Sequence, residues 1–189
     1  MVAGKVFFIL FIGVFADLVN CHSEGEYYWR PWTPGAPPAD GVTGRDYRGT
    51  SYILEAYVPN FGLYIGQAFA NQHEVNVSAT QANATLRVQR SQSSLVLCSL
   101  NNDKLAWYPT NYRTLQNELL SATITRVVGG SQANGVMIYI GRYVDTSLRT
   151  VFFGSIPDTS FYVNYHYSGR AYSQAYYEIL IVDQKCTGS

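Results

Sequence analysis

The chain has 189 residues, with 13 Lys and Arg against 13 Asp and Glu and a formal net charge of zero. That balance argues against nucleic acid or an anionic membrane surface as the main partner. The length allows one or two small domains with a real core, and no segment after residue 21 approaches the length of a membrane-spanning helix.

Lys5 is followed by an apolar run from Val6 to Phe15, broken only by Gly13, and then by Ala16, Asp17 and Val19-Asn20-Cys21. A short basic start, a brief apolar core and small or medium residues before a cleavage point predict a secretory signal peptide over residues 1–21. An N-terminal membrane anchor is the alternative, and Asp17 counts against it. The expected location is therefore secreted and extracellular, without membrane insertion.

Past this leader, 16 Tyr and 9 Phe dominate a chain of short alternating apolar runs. These are strand residues, and the pattern predicts an all-β body. The segment 30–41, with Pro31, Pro34, Pro37, Pro38, Gly35 and Gly41, reads as a wrapping loop anchored by Trp29 and Trp32. Strands are expected at 52–58, 62–70, 74–78, 85–90 and 94–100, then at 104–109, 123–128, 137–143, 150–156, 161–167 and 176–183. Turn signals between them include Pro59-Asn60, Asn101-Asn102, Gly129-Gly130, Asn134-Gly135, Pro157-Asp158 and Ser168-Gly169. Only 115–122 has a locally helical pattern.

One half echoes the other. Trp29, Val42-Thr43-Gly44-Arg45-Asp46, Gly49 and Tyr52-Ile53 return as Trp107, Val128-Gly129-Gly130-Ser131-Gln132, Gly135 and Tyr139-Ile140. The offset is 78 at the Trp (107 − 29) and 87 at the Tyr (139 − 52). It is 88 at Gly66 and Gly154, and 88 again at Val75-Asn76 and Val163-Asn164. The expected architecture is two tandem repeats, 27–100 and a better kept 104–183, forming a pseudo-two-fold antiparallel β-sandwich or barrel-like body, with a tail at 184–189. A cleft between repeats is a natural place for a ligand.

Cys98 and Cys186 remain after removal of the leader, either bridged, which a secreted setting permits, or with Cys98 a free buried thiol. Asn76-Val77-Ser78 and Asn83-Ala84-Thr85 are N-glycosylation sequons, with Asn83 the better placed.

The order and spacing of these elements resemble the DM9 repeat (DUF3421) family. The residues that carry the resemblance are Trp29, Gly44-Arg45-Asp46, Gly49 and Tyr52-Ile53 in the first copy. In the second they are Gly129-Gly130, Tyr139-Ile140-Gly141-Arg142 and Tyr177-Glu178-Ile179-Leu180. The resemblance implies a glycan-binding, mannose-type lectin linked to innate immunity, with sugar contacts from a turn aspartate and from a lysine after a strand glycine. Here the aspartate is Asp46 in the first copy and Gln132 in the second, and the lysine positions hold Gln67 and Ser155. Leu54-Glu55 stands in the first copy where the second has Gly141-Arg142, and 94–97 departs from the closing Tyr-Glu pattern.

A neutral sugar needs several hydrogen-bonding groups in fixed geometry, often beside an aromatic face. Asp46 can accept from paired hydroxyls or cap its own turn. Arg45 or Arg48 can replace the lysine, and Gln67 can donate and accept. Trp29, Trp32 and Trp107 can stack on a sugar or pack in the core. Arg142 with Glu178 reads as a structural ion pair between strands. The glycan candidates are thus Asp46, Arg45, Gln67 and Gln132.

No nucleophile motif, phosphate-cradling loop or dinucleotide-binding βαβ unit is present, and His22, His73 and His166 have no metal-ligand spacing. A non-catalytic binding protein without cofactor or metal is therefore expected, with glycans or glycoconjugates as partners and self-association as a further option. A Tyr-rich structural protein of an extracellular matrix is the alternative, followed by a small-lipid carrier.

Overall fold

The computed structural model describes residues 27–80, 86–91, 93–120 and 124–183. The segment 1–21 expected to be a signal peptide, the tail 184–189, Asn83 and Cys186 lie outside them. The described residues form two antiparallel sheets of seven and eight strands, with one short helix. The all-β expectation holds, and the physical reason is the alternation of β-branched and aromatic residues along nearly every segment.

The first sheet is built from β1 (Tyr28–Pro31), β2 (Thr43–Asp46), β3 (Gly49–Val58), β4 (Gly62–Phe69), β5 (Val75–Thr80), β6 (Leu86–Ser91) and β7 (Ser94–Cys98). Its order is β1-β7-β3-β4-β5-β6, with β2 paired to β3. The second sheet contains β8 (Leu105–Asn111), β9 (Thr125–Arg126), β10 (Val128–Ser131), β11 (Met137–Asp145), β12 (Thr150–Pro157), β13 (Val163–Tyr167), β14 (Arg170–Gln174) and β15 (Tyr176–Val182). Its order, read from the other end, is β8-β15-β11-β12-β13-β14, with β10 paired to β11 and β9 to β15. Strand for strand the two orders coincide. The register coincides as well: Trp29 lies opposite Leu97 and Trp107 opposite Leu180.

The sheets meet through β4 and β12, with β2 and β10 flanking them. A Cβ on Gly44 would lie 2.6 Å from the Phe153 ring, and one on Gly129 would lie 2.6 Å from Cδ1 of Ile65. These two contacts occupy matching places in the two sheets. Each sheet pushes a large β4 or β12 side chain into the gap that the other sheet's glycine leaves open. Hydrogen bonds follow the same exchange. Ile65 N–H donates to Ser155 Oγ at 2.8 Å, and Phe153 N–H donates to Gln67 Oε1 at 3.3 Å.

Two apolar clusters result. The larger joins Ile53, Ile65, Leu97, Ile138, Ile140, Phe153 and Leu180 across the interface and continues into the first sheet. That sheet curls until β6 approaches β3, where Ser91 Oγ–H donates to Tyr57 O at 2.7 Å. The smaller cluster lies on the second sheet, where Leu115 of α1 (Thr114–Leu120) covers Tyr139, Ile156, Val163, Tyr177 and Ile179.

Four expectations need correction. The segment 30–41 is not wholly irregular, because Arg30 and Pro31 end edge strand β1, where a proline costs no ladder bond. Gly129-Gly130 is not a turn but a bulged part of β10, with a register shift between Val128 and Gly130, and the strand expected at 123–128 falls on β9 and the first residue of β10. β14 was not anticipated from the sequence; its polar composition hides a strand paired along its whole length with β13. Phe161 is not in a strand, since its φ of 55° turns the chain before β13 begins.

Candidate functional site

An open cleft of about 250 Å³ lies where the two sheets join, lined by Val42, Thr43, Asn102, Leu105, Trp107 and Leu180. Thr43 comes from β2 of the first sheet, while Trp107 and Leu180 come from β8 and β15 of the second. Asn102 begins a 3-10 turn, Asn102–Lys104, in the connection between the sheets. Four of the six lining residues are apolar, Val42 and Leu180 among them buried, and exposed Thr43 and Asn102 add a hydroxyl and an amide.

Trp107 is held firmly. Its ring stacks on Phe153 with centroids 5.7 Å apart, and the Arg142 guanidinium lies 4.5 Å from its centroid. Arg142 donates from Nε to Glu178, which sits directly opposite it between β11 and β15. The Arg142–Glu178 pair is therefore the inter-strand lock that the residue types suggested. Its cation also braces the aromatic wall of the cleft.

The first sheet lacks this device. Glu55 and Leu95 take the corresponding places, and among the described residues the Glu55 carboxylate has no hydrogen-bond or ion-pair partner. Burial raises its pKa above the usual carboxylate range.

The glycan candidates are scattered by the fold. Arg45 is exposed on β2, two residues from Thr43, so strand alternation puts the two on one face. Asp46 ends the same strand opposite Gly49, and its side chain is outside the described set. Gln67 is on β4, where its amide donates from Nε2 to Val151 O at 3.1 Å and accepts from Phe153 N–H. Both ends of that amide are thus engaged across the sheet interface. Ser155, at the matching position, is engaged in the same way. Gln132 is half-buried, and its backbone bridges to Gly62. Arg48 spreads over the rings of Phe69 and Phe152 at 5.0 and 5.4 Å, which makes it an inter-sheet brace.

Trp29 and Trp32 pack against the larger cluster, and Trp32 donates from Nε1 to Gln72 O at 2.9 Å. Sequence reasoning missed Thr43 and Asn102. Thr43 was read only as part of the echoed Val42–Asp46 segment and Asn102 only as a turn residue, and the joining of the two sheets brings them together.

Cys98 is buried, with no disulfide to it among the described residues. Burial first, and then the neighbouring Asp40 carboxylate, push its thiol up to about 11. Asp40 accepts from the Tyr28 hydroxyl, which holds its own pKa below the usual carboxylate range, and it also pairs with Arg30 at 3.3 Å. Asn76 is half-buried on β5, opposite Arg90. Among the described residues no group of three His, Cys, Asp or Glu is placed to hold a metal ion, and no helix is long and apolar enough to cross a membrane.

Comparison with protein-family models and with curated proteins finds no match to this chain.

Proposed function

We propose that this is a secreted, non-catalytic glycan-binding protein of the mannose-type lectin kind, acting in innate immunity, and that the two sheets are degenerate and better kept DM9-like repeats. The observation that supports the reading is the inter-sheet cleft. It has one Trp side chain braced by stacking and by a cation, with an exposed hydroxyl and an exposed amide beside it. These are the groups a pyranose needs: a surface for its C–H face and fixed partners for its hydroxyls.

Thr43 and Asn102 are the first contacts, with Arg45 and Asp46 further along β2. Gln67 contributes through the interface rather than through the sugar. Each lost hydrogen bond to an uncharged hydroxyl costs about 0.5–1.5 kcal/mol, so a Thr43→Val, Asn102→Leu double variant loses roughly 5- to 150-fold in affinity.

The test is retention of the secreted form on mannan beads and on a glycan array, with the double variant and Asp46→Ala run beside it. Failure of the unaltered protein to bind any glycan removes the reading. Binding that the double variant retains in full moves the site away from the cleft. A second reading, a Tyr-rich interaction protein of an extracellular matrix, draws on the exposure of Tyr47, Tyr57 and Tyr176 at 67%, 51% and 73%.

A further inference from the structure

Two tyrosines from distant parts of the second sheet lie ring on ring. Tyr112, in the turn after β8, and Tyr162, in the turn before β13, have centroids 4.7 Å apart and ring planes at 23°. This is the closest tyrosine pair among the described residues. The next, Tyr143 with Tyr165 and Tyr165 with Tyr172, are 5.5 and 5.6 Å apart and share Tyr165, which is 5% exposed. Tyr112 and Tyr162 are both half-buried, so neither is sealed from a diffusible oxidant.

The placement of Tyr162 is built. Phe161, just before it, has a φ of 55°, a conformation that costs an aromatic residue of order 1–3 kcal/mol unless its surroundings impose it. Two hydrogen bonds impose it: Phe161 N–H donates to Pro157 O at 3.0 Å, and the hydroxyl of Tyr177 donates to Phe161 O at 2.5 Å. On the other side, Tyr112 N–H donates to Ala175 O at 3.0 Å, and the Arg113 guanidinium donates from Nε to the Tyr112 hydroxyl oxygen at 2.7 Å. The chain on each side of the ring pair is therefore held by hydrogen bonds to other segments, and the Tyr112 hydroxyl by Arg113. The first sheet has no counterpart, since Glu74 stands where the second has Tyr162 and it pairs with Arg90 at 3.1 Å.

We infer that Tyr112 and Tyr162 form an oxidative modification site, at which hydrogen peroxide acting through a peroxidase joins the two rings as an intramolecular dityrosine. Each phenol gives up one electron and one proton to become a tyrosyl radical. The two radicals form a carbon–carbon bond between ring positions ortho to the hydroxyls. The hydrogens on those two carbons return to the phenol oxygens as both rings regain aromaticity. The protein loses two hydrogens in all, and one hydrogen peroxide accepts the two electrons and two protons and leaves as two waters. The bond ties the β8 turn to the β12–β13 turn across 50 residues of chain (162 − 112). The inference rests on neither functional reading above.

The experiment exposes the purified secreted protein, dilute, to peroxidase and limiting hydrogen peroxide. Dityrosine fluorescence, intact mass and cross-linked peptides are then measured on the monomer fraction. The expected result is a monomer lighter by two hydrogens, in which the Tyr112 and Tyr162 peptides are joined. Tyr112→Phe and Tyr162→Phe should each abolish that product while keeping the ring stack and the circular dichroism spectrum, and Tyr176→Phe should leave it intact. The inference is overturned by dityrosine confined to oligomers, by a joined peptide pair that lacks either residue, or by unchanged monomer coupling in Tyr162→Phe. Absence of coupling under conditions that couple free tyrosine overturns it equally.

Discussion

Replacing Ser155 by Ala tests the idea that the two sheets hold together through exchanged hydrogen bonds. Ser155 is completely buried, and its Oγ is the acceptor for Ile65 N–H at 2.8 Å. The β4–β5 ladder is confined to Gly66 opposite Val77, so Ile65 finds its acceptor in the other sheet rather than in β5. Alanine fits the space but leaves a buried N–H without a partner, which costs about 1–3 kcal/mol. For a body of this size, 1 kcal/mol moves the melting temperature by about 2–4 °C, so a fall of roughly 4–8 °C is expected at the middle of that range. Gln67→Ala removes two bonds and leaves the N–H of buried Phe153 without its acceptor, so it too should cost about 1–3 kcal/mol. Gln67→Glu adds a signature of its own. An ionised carboxylate still accepts from Phe153 N–H but faces Val151 O, so the folded state favours the protonated form and its pKa rises. Stability is then fully present below the unfolded carboxyl pKa, about 4.3, and is lost as pH rises through the higher folded value. Thermal melts of the three variants across pH decide the matter. A Ser155→Ala or a Gln67→Ala protein that melts with the parent would refute the exchange.

Other consequences are independent of that one. Gly62→Ala places a Cβ 2.2 Å from Ser131 O at a φ of 115°, whereas Gly135→Ala meets nothing within 4 Å at a φ of 86°. Denaturant melts should show a loss above about 3 kcal/mol for the first and near 1 kcal/mol for the second. Glu55→Gln should stabilise at neutral pH, because burial raises the folded pKa of Glu55 and its ionised form weakens the fold; the gain should vanish as pH falls below the unfolded value, and a constant difference across the titration would contradict it. Cys98 should resist alkylation in the native protein, since its thiol is buried with a pKa of about 11, and rapid native labelling would show that the site is open.

Much of the architecture is legible in the sequence, because strand alternation and the spacing of Trp, Gly and Tyr are local signals. Eleven expected strands fall on observed ones, with ends shifted by a few residues. What stayed hidden depends on partners far away in the chain. Gly129-Gly130 reads as a turn because two glycines usually free the backbone. Here they serve a close approach, with Ile65 and Leu63 in the space their side chains would take. β2 is similarly concealed, since Gly44 is present to admit Phe153. The site was less legible than the fold. Gln67 looks like a sugar contact until Val151 and Phe153 are seen beside it, and nothing in the sequence puts Thr43 and Asn102 on the same cleft as Trp107.

The difference between the sheets at one place bears on how the cleft could work. In the second sheet the Glu178 carboxylate holds Arg142, Arg142 lies over Trp107, and Trp107 forms the cleft wall. In the first, Leu95 removes the carboxylate and Glu55 removes the cation, so Trp29 has no equivalent brace among the described residues. Two sheets with one strand order therefore differ in the contacts that hold their matching tryptophans. A preorganised aromatic wall loses less entropy on contact with a ligand than a loose one. Glu178→Gln weakens the brace without changing the lining of the cleft, and its pair with Arg142 is partly exposed, so it should cost the fold only about 1 kcal/mol or less. If the brace matters for binding, mannan retention should fall in Glu178→Gln while the melting temperature hardly moves. Equal retention at equal stability would leave Arg142 and Glu178 as a lock on the sheet alone.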